Sequence, residues 1–399
     1  MRAEYWGVLV LLICSLLLVY HHLIYPWGLA RLAARQPLQA PLLSRRGWQS
    51  QVNDSQLPYI EVLMPAFNES RFIADKLRNL ALLDYPVGRW HVVLLLDGCN
   101  DSTGAIVRRV LQEPELAGLP VQVREFNDNR GKIYRLNQAL EMSASPLLLL
   151  TDVSALLPVD SLLAMAAHFS DDQVGAVSLG YRLLQAGSEG EAGYWQYQTR
   201  IKQQESRLGC LQGAHGAAWA LRRELYQALP GDTINDDFIL PIGAAAQGYR
   251  VVYEDRLQAL ELETIDATSE QQRRRRIGAG NAQQAWRLRG LLHPRHGRLA
   301  LMFASGKVLR VLMPFCLLLM LLCTLLLAPL HIGFALLAGL QVMGYAALLL
   351  VHGLHLTLPF RALRLIDYLL CGHWANLLGS LQYLTGQRRG SWQRAEEQA

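Results

Sequence analysis

Three apolar runs, each long enough to cross a membrane, constrain this chain more than any other feature. They extend from Trp6 to Tyr25, from Val311 to Leu330 and from Ile332 to Val351, and none contains Lys, Arg, Asp or Glu. A helix needs about 20 apolar residues to cross the hydrocarbon core, and a central charge costs about 2.5–3.5 kcal/mol on insertion scales. We therefore predict three transmembrane helices, the last two forming a hairpin around His331.

The basic residues beside the apolar runs predict the orientation of the chain. They cluster after the first run, before the hairpin and after it, as Arg31, Arg35, Arg45 and Arg46, then Arg295, Arg298, Lys307 and Arg310, then Arg361 and Arg364. Lys and Arg next to membrane helices favour the cytoplasmic side. We therefore predict a multi-pass protein of the inner (cytoplasmic) membrane, with residues 51–295 as a cytoplasmic domain.

The two ends of the chain are predicted to be membrane regions. Residues 1–50 are expected to form an anchor, with its span at 6–25, and a juxtamembrane segment. This run is longer than that of a signal peptide, and no small-residue cleavage site follows it. Residues 296–399 are expected to contain spans at 311–330 and 332–351 and a cytoplasmic tail. Residues 363–384 include charged side chains, which favours an amphipathic helix on the membrane surface over a fourth span.

Composition excludes two other classes of function. Only 18% of the residues are charged, against roughly 25% in soluble proteins. Much of the net charge of +5 lies beside the spans, where anionic lipid attracts it, and basic residues do not alternate with aromatic ones as a nucleic-acid platform requires. The six cysteines form no CxxC pair, which argues against a zinc site.

The middle of the chain alternates strand-like and helix-like segments, which predicts an α/β domain. Pro65 is expected to end the first strand. The predicted strands are 59–64, 91–96, 121–126, 146–151, 174–179 and 250–253.

Four acidic residues in this region are candidates for a ligand site. Asp97 and Asp152 come at strand ends, and the pair Asp236 and Asp237 follows later. Open α/β sheets bind ligands at the carboxyl ends of their strands, so these side chains can converge on one crevice. Each alone is explained as well by a turn, a cap or an acidic helix start. Lys132 lies outside any Walker-type phosphate loop.

Five short motifs resemble, in chain order, those of membrane-bound family 2 glycosyltransferases, a group that includes cellulose, hyaluronan and poly-N-acetylglucosamine synthases. The motifs are Pro65-Ala66-Phe67-Asn68-Glu69, Asp97-Gly98-Cys99-Asn100-Asp101, Asn129-Arg130-Gly131-Lys132, Thr151-Asp152-Val153-Ser154 and Asp236-Asp237. The resemblance implies a GT-A (Rossmann-like) nucleotide-sugar-binding domain, a nucleotide-diphospho-sugar donor, Mg²⁺ or Mn²⁺ as cofactor, and inversion of the anomeric centre.

On the donor side, the resemblance places Pro65, Glu69 and Asp97 along the nucleotide pocket, with Lys132 nearby. Asp152 occupies the first acidic position of the D-x-D metal motif. Its third position is Ser154 here, so metal binding depends more on Asp152 and the donor phosphates.

The resemblance also assigns the base and the acceptor side. Asp237 corresponds to the base that takes the proton of the acceptor hydroxyl, with Asp236 beside it. Gly213 and His215 fall in the segment on the acceptor side, although His215 is equally explained as a structural histidine.

The chain departs from the synthases before Gly280. Where they have Q-x-x-R-W, this chain has Arg273 for the Gln, Arg276 for the Arg and Ile277 for the Trp. Arg276, supported by Arg273, can still hold the departing diphosphate. The alternative is a basic helix face lying on lipid. Loss of the aromatic platform argues against processive polymerisation.

The predicted function is that of an inverting hexosyltransferase that moves a sugar from a nucleotide-diphospho-sugar to a lipid-linked or membrane-proximal saccharide acceptor in envelope or exopolysaccharide assembly. Membrane lipids and a polysaccharide assembly complex are the expected partners, and nucleic acid is not one. The alternatives are a processive polysaccharide synthase and a non-catalytic membrane subunit of a secretion complex. Intact Asp97, Asp152 and Asp237 argue against the latter.

Overall fold

The computed structural model describes residues 2–37, 41, 45–185, 189–263, 267–354 and 358–386. The chain divides into two compact units. The sheet unit contains the described residues of 32–186 and 199–265, and the helical unit contains those of 1–31, 187–198 and 266–386. The predicted cytoplasmic tail after residue 386 lies outside the described residues.

The secondary structure follows the alternating pattern along the middle of the chain. The strands are β1 (Ile60–Ala66), β2 (Trp90–Asp97), β3 (Val121–Phe126), β4 (Leu147–Leu150), β5 (Ala155–Leu156), β6 (Val174–Leu183), β7 (Trp219–Arg222) and β8 (Arg250–Glu261). The helices are α1 (Arg2–Val19), α2 (Tyr25–Ala33), α3 (Ile73–Ala81), α4 (Thr103–Val110), α5 (Lys132–Met142), α6 (Ser161–Phe169), α7 (Glu189–Arg207), α8 (Asp236–Ala246), α9 (Ala267–Arg287), α10 (Arg298–Phe303), α11 (Leu309–Leu327), α12 (Ile332–Gly353) and α13 (Arg361–Leu384).

The strands form one mixed sheet in the order β3-β2-β1-β4-β7-β6-β8-β5. The first four in this order are parallel, β7 is antiparallel to both of its neighbours, β8 runs parallel to β6, and β5 is antiparallel to β8. The carboxyl ends of β1, β2 and β4 therefore meet at one edge of the sheet, where the acidic residues were expected.

The central strands are buried on both faces. Leu147 and Leu149 of β4 belong to one hydrophobic core, whereas Leu148 and Leu150 belong to the other. Side chains alternate between the faces of a strand, so an uninterrupted run of four leucines fits a strand covered by helices on both sides.

The prediction that Pro65 ends β1 was wrong, because the strand continues to Ala66. The carbonyl of Leu63 accepts from Thr151 N, so Leu63 faces β4, and Pro65, two residues on, faces the same side. The ladder with β4 ends at the pair Leu63–Leu150, while Pro65 remains in register with Leu95 of β2. The missing N–H of the proline therefore removes no ladder bond.

The helical unit contains three helices long and apolar enough to cross a membrane among the described residues: Glu4–Ala33, Arg298–Leu327 and Ile332–Gly353. The first two differ from the expected bounds of 6–25 and 311–330. Each continues through a π-helical turn, Tyr20–Ile24 and Ala304–Val308, into a neighbouring α-helix. α13 covers the segment expected at 363–384 and is not among these three.

Helix α9 groups with the membrane helices, although it lies inside the predicted domain 51–295. Its residue Gly278 packs against α13, where an added Cβ would lie 2.8 Å from Asn376 Cα. On α13, a Cβ at Gly379 would collide with the carbonyl of Arg275. Glycines at both positions let the two backbones approach closely, which accounts for this grouping.

Candidate active site

Three carboxylates and one lysine, which we call the acidic cluster, meet at the edge of the sheet. Asp152 follows β4 directly, and Asp236 and Asp237 begin α8. Lys132 begins α5, and its Nζ lies 3.2 Å from Asp152 Oδ1 and 3.3 Å from Asp236 Oδ1. The structure therefore brings together Asp152, Asp236 and Asp237, three of the four acidic residues expected to converge on one crevice.

The charges in the acidic cluster influence one another strongly. Burial, followed by the negative charges of Asp236 and Asp152, raises the pKa of Asp237 to about 6, although Lys132 and Lys202 act in the opposite direction. Burial disfavours the charged form of Lys132, but the surrounding carboxylates outweigh this effect and raise its pKa. Lys132 is thus a permanent cation, whereas Asp237 titrates near neutral pH.

Gly216 leaves the space that two of the carboxylates occupy. An added Cβ at this position would lie 2.9 Å from Asp152 Oδ2 and 3.6 Å from Asp237 Oδ2. The backbone of Gly216 is not in the left-handed region, so it is the side chain that is excluded.

We expect Gly216→Ala to lower sugar transfer by roughly 10- to 100-fold, because a misplacement of about 1 Å at a reacting group has such an effect. Gly243→Ala on α8 is the matched control, because no described atom lies within 4 Å of its added Cβ. The control should retain full transfer. Equal activity of both variants, measured at equal folded fractions by circular dichroism, would show that the space at Gly216 is not needed.

Asp97 supports a loop and has no exposed surface. Its oxygens accept from Arg130 N at 3.1 Å, Gly131 N at 2.7 Å and Arg135 Nε at 2.6 Å. Asp97 therefore exposes no atom to a nucleotide in this structure. Its observed contacts position the loop that precedes Lys132.

The loops after β1 and β2 are fastened to each other beside this edge. Asn68 and Asn100 exchange two hydrogen bonds, at 2.6 and 3.0 Å. Glu69 N donates to Thr103 Oγ1 at 2.8 Å. Pro65 is buried in β1, so of the two residues expected at the nucleotide from this motif only Glu69 is partly exposed.

Lys76, which the sequence analysis missed, lies beneath the segment that bears Asp152. It is fully buried, and its Nζ donates to Thr151 Oγ1 at 2.7 Å and to the carbonyl of Ala155. Burial lowers its pKa to about 7, although Asp152 and Glu261 oppose the shift. The sequence signal for this residue is a lysine at helical spacing between Ile73 and Leu80, within the apolar face of α3.

The two residues expected on the acceptor side have internal roles in the structure. Gly213 has φ +85°, and an added Cβ would lie 2.6 Å from Phe238 Cδ2. The ring of His215 is buried and stacks on that of Tyr181, with a centroid distance of 5.1 Å. The ring of Tyr253 is a second neighbour, with a centroid distance of 5.8 Å. These contacts favour the structural explanation of His215 that the sequence left open.

Comparison with known protein families gives a match to the middle of the chain. The model of the family described as "Glycosyl transferase family 2" matches residues 61–229. This range includes Asp97, Lys132 and Asp152. The chain contains a family 2 glycosyltransferase domain.

The relatives of this glycosyltransferase domain synthesise glycolipids or polysaccharides, according to their names. The chain is 28% identical over 224 residues to the beta-monoglucosyldiacylglycerol synthase of Trichormus variabilis, covering 54% of this chain and 47% of the relative. It is 23% identical over 211 residues to the poly-beta-1,6-N-acetyl-D-glucosamine synthase of Staphylococcus aureus, covering 51% and 50%. The chain thus spans about half the length of these curated relatives.

A solved structure shows which fold this chain has. The mannosyltransferase PcManGT from Pyrobaculum calidifontis, in complex with GDP-Man and Mn²⁺, superposes with a TM-score of 0.73 at 22% identity, covering 95% of this chain and all of that one. The fold of this domain is therefore GT-A, and apolar helices lie in the terminal regions of the chain.

The donor atoms of the acidic cluster fit a hard divalent cation. Asp152 is 42% exposed at its side chain. Asp236 is buried, and its Oδ2 has no hydrogen-bond partner among the described residues. Carboxylate oxygens are the ligands that Mg²⁺ and Mn²⁺ prefer. The glycosyltransferase domain therefore offers suitable ligands, of which Asp152 is the accessible one.

Arg273 and Arg276, expected at the donor diphosphate, lie on α9 of the helical unit. Arg276 is exposed, and the guanidinium of Arg273 lies 5.9 Å from the ring centroid of Trp195. Their neighbour Arg274 pairs with Glu270 at 2.6 Å and stacks on Tyr368. The diphosphate contact of Arg276 and Arg273 stays a prediction.

Proposed function

We propose that this protein is an inverting glycosyltransferase of the cytoplasmic membrane, transferring a sugar from a nucleotide-diphospho-sugar to a lipid-linked or membrane-proximal acceptor. The observation that carries the proposal is the acidic cluster, which brings Asp152, Asp236 and Asp237 together around Lys132. Each of three adjacent carboxylates raises the free energy of ionising the others. Such a cluster is therefore more typical of a catalytic site than of a purely structural one.

Asp237 is the proposed base. The acceptor oxygen attacks the anomeric carbon from the face opposite the diphosphate, the bond to the diphosphate oxygen breaks, and Asp237 takes the hydroxyl proton. A pKa of about 6 leaves the carboxylate ionised at neutral pH and closer in proton affinity to its task than an ordinary aspartate. Asp236 contributes through its charge, which helps to raise that pKa.

Asp152 is the proposed ligand of Mg²⁺ or Mn²⁺, which when bound would neutralise charge on the donor diphosphate. Lys132, a cation with two carboxylate partners, is proposed to contact the same phosphates. Arg276 and Arg273 are proposed to hold the diphosphate as it leaves.

Two observations support a lipid-linked acceptor, and a third supports a cytoplasmic orientation. Three helices among the described residues are able to span a membrane, and the name of one relative describes synthesis of a glycosylated diacylglycerol. The clusters of arginine beside the spans favour a cytoplasmic glycosyltransferase domain.

A donor screen tests this function. Purified protein is incubated with GDP- and UDP-sugars, with and without Mg²⁺ or Mn²⁺, and released nucleoside diphosphate is measured. We expect release from at least one donor, dependent on metal and absent in Asp152→Asn. Lack of metal-dependent release from every donor, with or without extracted membrane lipid as acceptor, would contradict the proposal.

The rate of transfer should fall at acid pH. Because Asp237 acts as a carboxylate and its pKa is raised to about 6, the active form is present above that pH and lost below it. A bound cation would lower this pKa, so the acid limb should lie at or below about pH 6. The value of kcat/KM, which reports the free enzyme, should then fall about tenfold for each further pH unit. A profile with no acid limb down to about pH 4, the range of an ordinary aspartate, would contradict this assignment.

Reporter fusions test the membrane topology. A reporter fused after Arg46 or at Ala399 should behave as cytoplasmic, and one inserted at His331 as external, because arginine-rich flanks stay inside. A cytoplasmic reporter at His331 would overturn the hairpin. An external reporter at Ala399 would show that α13 crosses the bilayer.

A further inference from the structure

The helical unit contains a polar contact where two apolar helices leave regular α-helical geometry. The π-helical turn Tyr20–Ile24 lies against the turn Ala304–Val308. Tyr20 Oη and Ser305 Oγ are 2.8 Å apart, and His21 Nδ1 lies 2.8 Å from the carbonyl of Ser305. π-helical turns occur often at functional sites, and ionisable residues inside membrane helices are costly in free energy and often mark functional sites.

Arg310 is the second residue of α11, just after the second of these turns. It is half-buried, and its guanidinium reaches Gln198 Oε1 only at 3.5 Å. Among the described residues no carboxylate forms an ion pair with it. A partly desolvated guanidinium is stabilised by an anion, and its planar fork suits phosphate oxygens.

His373 of α13 adds an unsatisfied donor. Its side chain is buried, its ring lies 5.3 Å from that of His22, and its Nε2 has no hydrogen-bond partner among the described residues. Burial first, then His22 and Arg310, lowers the pKa of His373 to about 4. The ring is therefore neutral at cellular pH, and it can donate to an anion without carrying charge itself.

The position along the chain identifies the source of that anion. Arg310 belongs to the basic cluster that precedes the hairpin, and His21 and His22 lie near the end of the predicted span 6–25, on the side of Arg31 and Arg35. The ends of spans lie level with lipid headgroups, and basic residues there attract anionic lipid. A phospholipid phosphate can therefore reach these groups directly from the membrane.

We propose that Arg310, His22 and His373 form a binding site for the phosphate of an anionic phospholipid. This site lies within the helical unit, and the proposal does not depend on glycosyl transfer. The phosphate oxygens accept from the guanidinium and from His373 Nε2, which satisfies both groups at once.

The test uses the full-length protein in dodecyl maltoside micelles, with phosphatidylglycerol, phosphatidylcholine or inorganic phosphate as the probe. Affinity is measured by native mass spectrometry and stabilisation by the thermal midpoint. We expect phosphatidylglycerol to bind most tightly and Arg310→Gln to weaken it by about tenfold or more, the effect of one lost charged hydrogen bond. Arg298→Gln, at an exposed arginine of the same apolar helix, is the matched control and should bind as the wild type does.

His373→Phe separates binding from structure, because phenylalanine keeps a ring but removes the unsatisfied nitrogen. We expect weaker binding of phosphatidylglycerol and a thermal midpoint without lipid that is equal or higher, since a buried unsatisfied donor is lost. Equal affinity in wild type, Arg310→Gln and His373→Phe would overturn the proposal. Stabilisation by inorganic phosphate with none by the lipid would overturn the membrane as the source.

Discussion

Replacing Asp237 by asparagine is expected to reduce sugar transfer by roughly 10²–10⁴-fold, the usual contribution of a positioned base. Donor affinity should stay nearly unchanged, because the base meets the acceptor hydroxyl rather than the nucleotide. The fold should also persist. Asparagine has nearly the same shape, the observed hydrogen bond from Ala214 N is to the main-chain carbonyl of Asp237, and loss of the charge relieves repulsion by Asp236 and Asp152.

Two further variants are compared with Asp237→Asn, one as a control and one as a contrast. Asp172→Asn removes a carboxylate that is 98% exposed and should leave transfer unchanged. Arg276→Ala should weaken donor binding and turnover together, because it removes a proposed contact with the leaving group. Donor affinity is measured by calorimetry and transfer by released nucleoside diphosphate on the same preparations. Loss of donor binding in Asp237→Asn with none in Arg276→Ala would show that the two roles are exchanged.

Asp152→Asn is expected to abolish detectable transfer and to weaken metal-dependent donor binding by roughly 10- to 100-fold. Removing a charged partner costs about 1.5–3 kcal/mol, and each 1.4 kcal/mol is tenfold in affinity. Stability should change little, because the Asp152 side chain is 42% exposed and Lys132 keeps Asp236 as a partner at 3.3 Å.

The measurement for Asp152→Asn is a donor titration at fixed Mn²⁺, repeated with a chelator. The wild type should lose affinity when the metal is removed, whereas the variant should bind weakly in both conditions. Full transfer by Asp152→Asn at physiological metal concentrations would exclude this residue from the site.

The fold was predictable where the physical signal is local and repeated. Runs such as Leu147–Leu150 are typical of strands buried on both faces, and acidic residues at their ends indicated the ligand edge of the sheet. β7 was missed because it has only four residues, most of them buried, and its sequence shows no alternation of apolar and polar residues. The continuation of β1 through Pro65 depends on where β4 ends, which is a tertiary fact.

The candidate site was predictable in its members but less so in their roles. The motifs identified Asp152, Asp236 and Asp237, and the structure brings the first two to Lys132. Sequence alone does not show that Asp97 is buried and paired with Arg135, because the burial of a charge depends on a partner distant in the chain. Lys76 was missed for the same reason, since its partners lie more than 70 residues away.

The most direct test of the glycosyltransferase assignment is the transfer of radiolabelled sugar from the donor selected in the screen into material extracted by organic solvent. Membranes containing the wild-type protein, Asp237→Asn or Asp172→Asn are compared at equal protein levels. We expect label in the extract for the wild type and Asp172→Asn, and almost none for Asp237→Asn. Equal incorporation by Asp237→Asn and the wild type would contradict it.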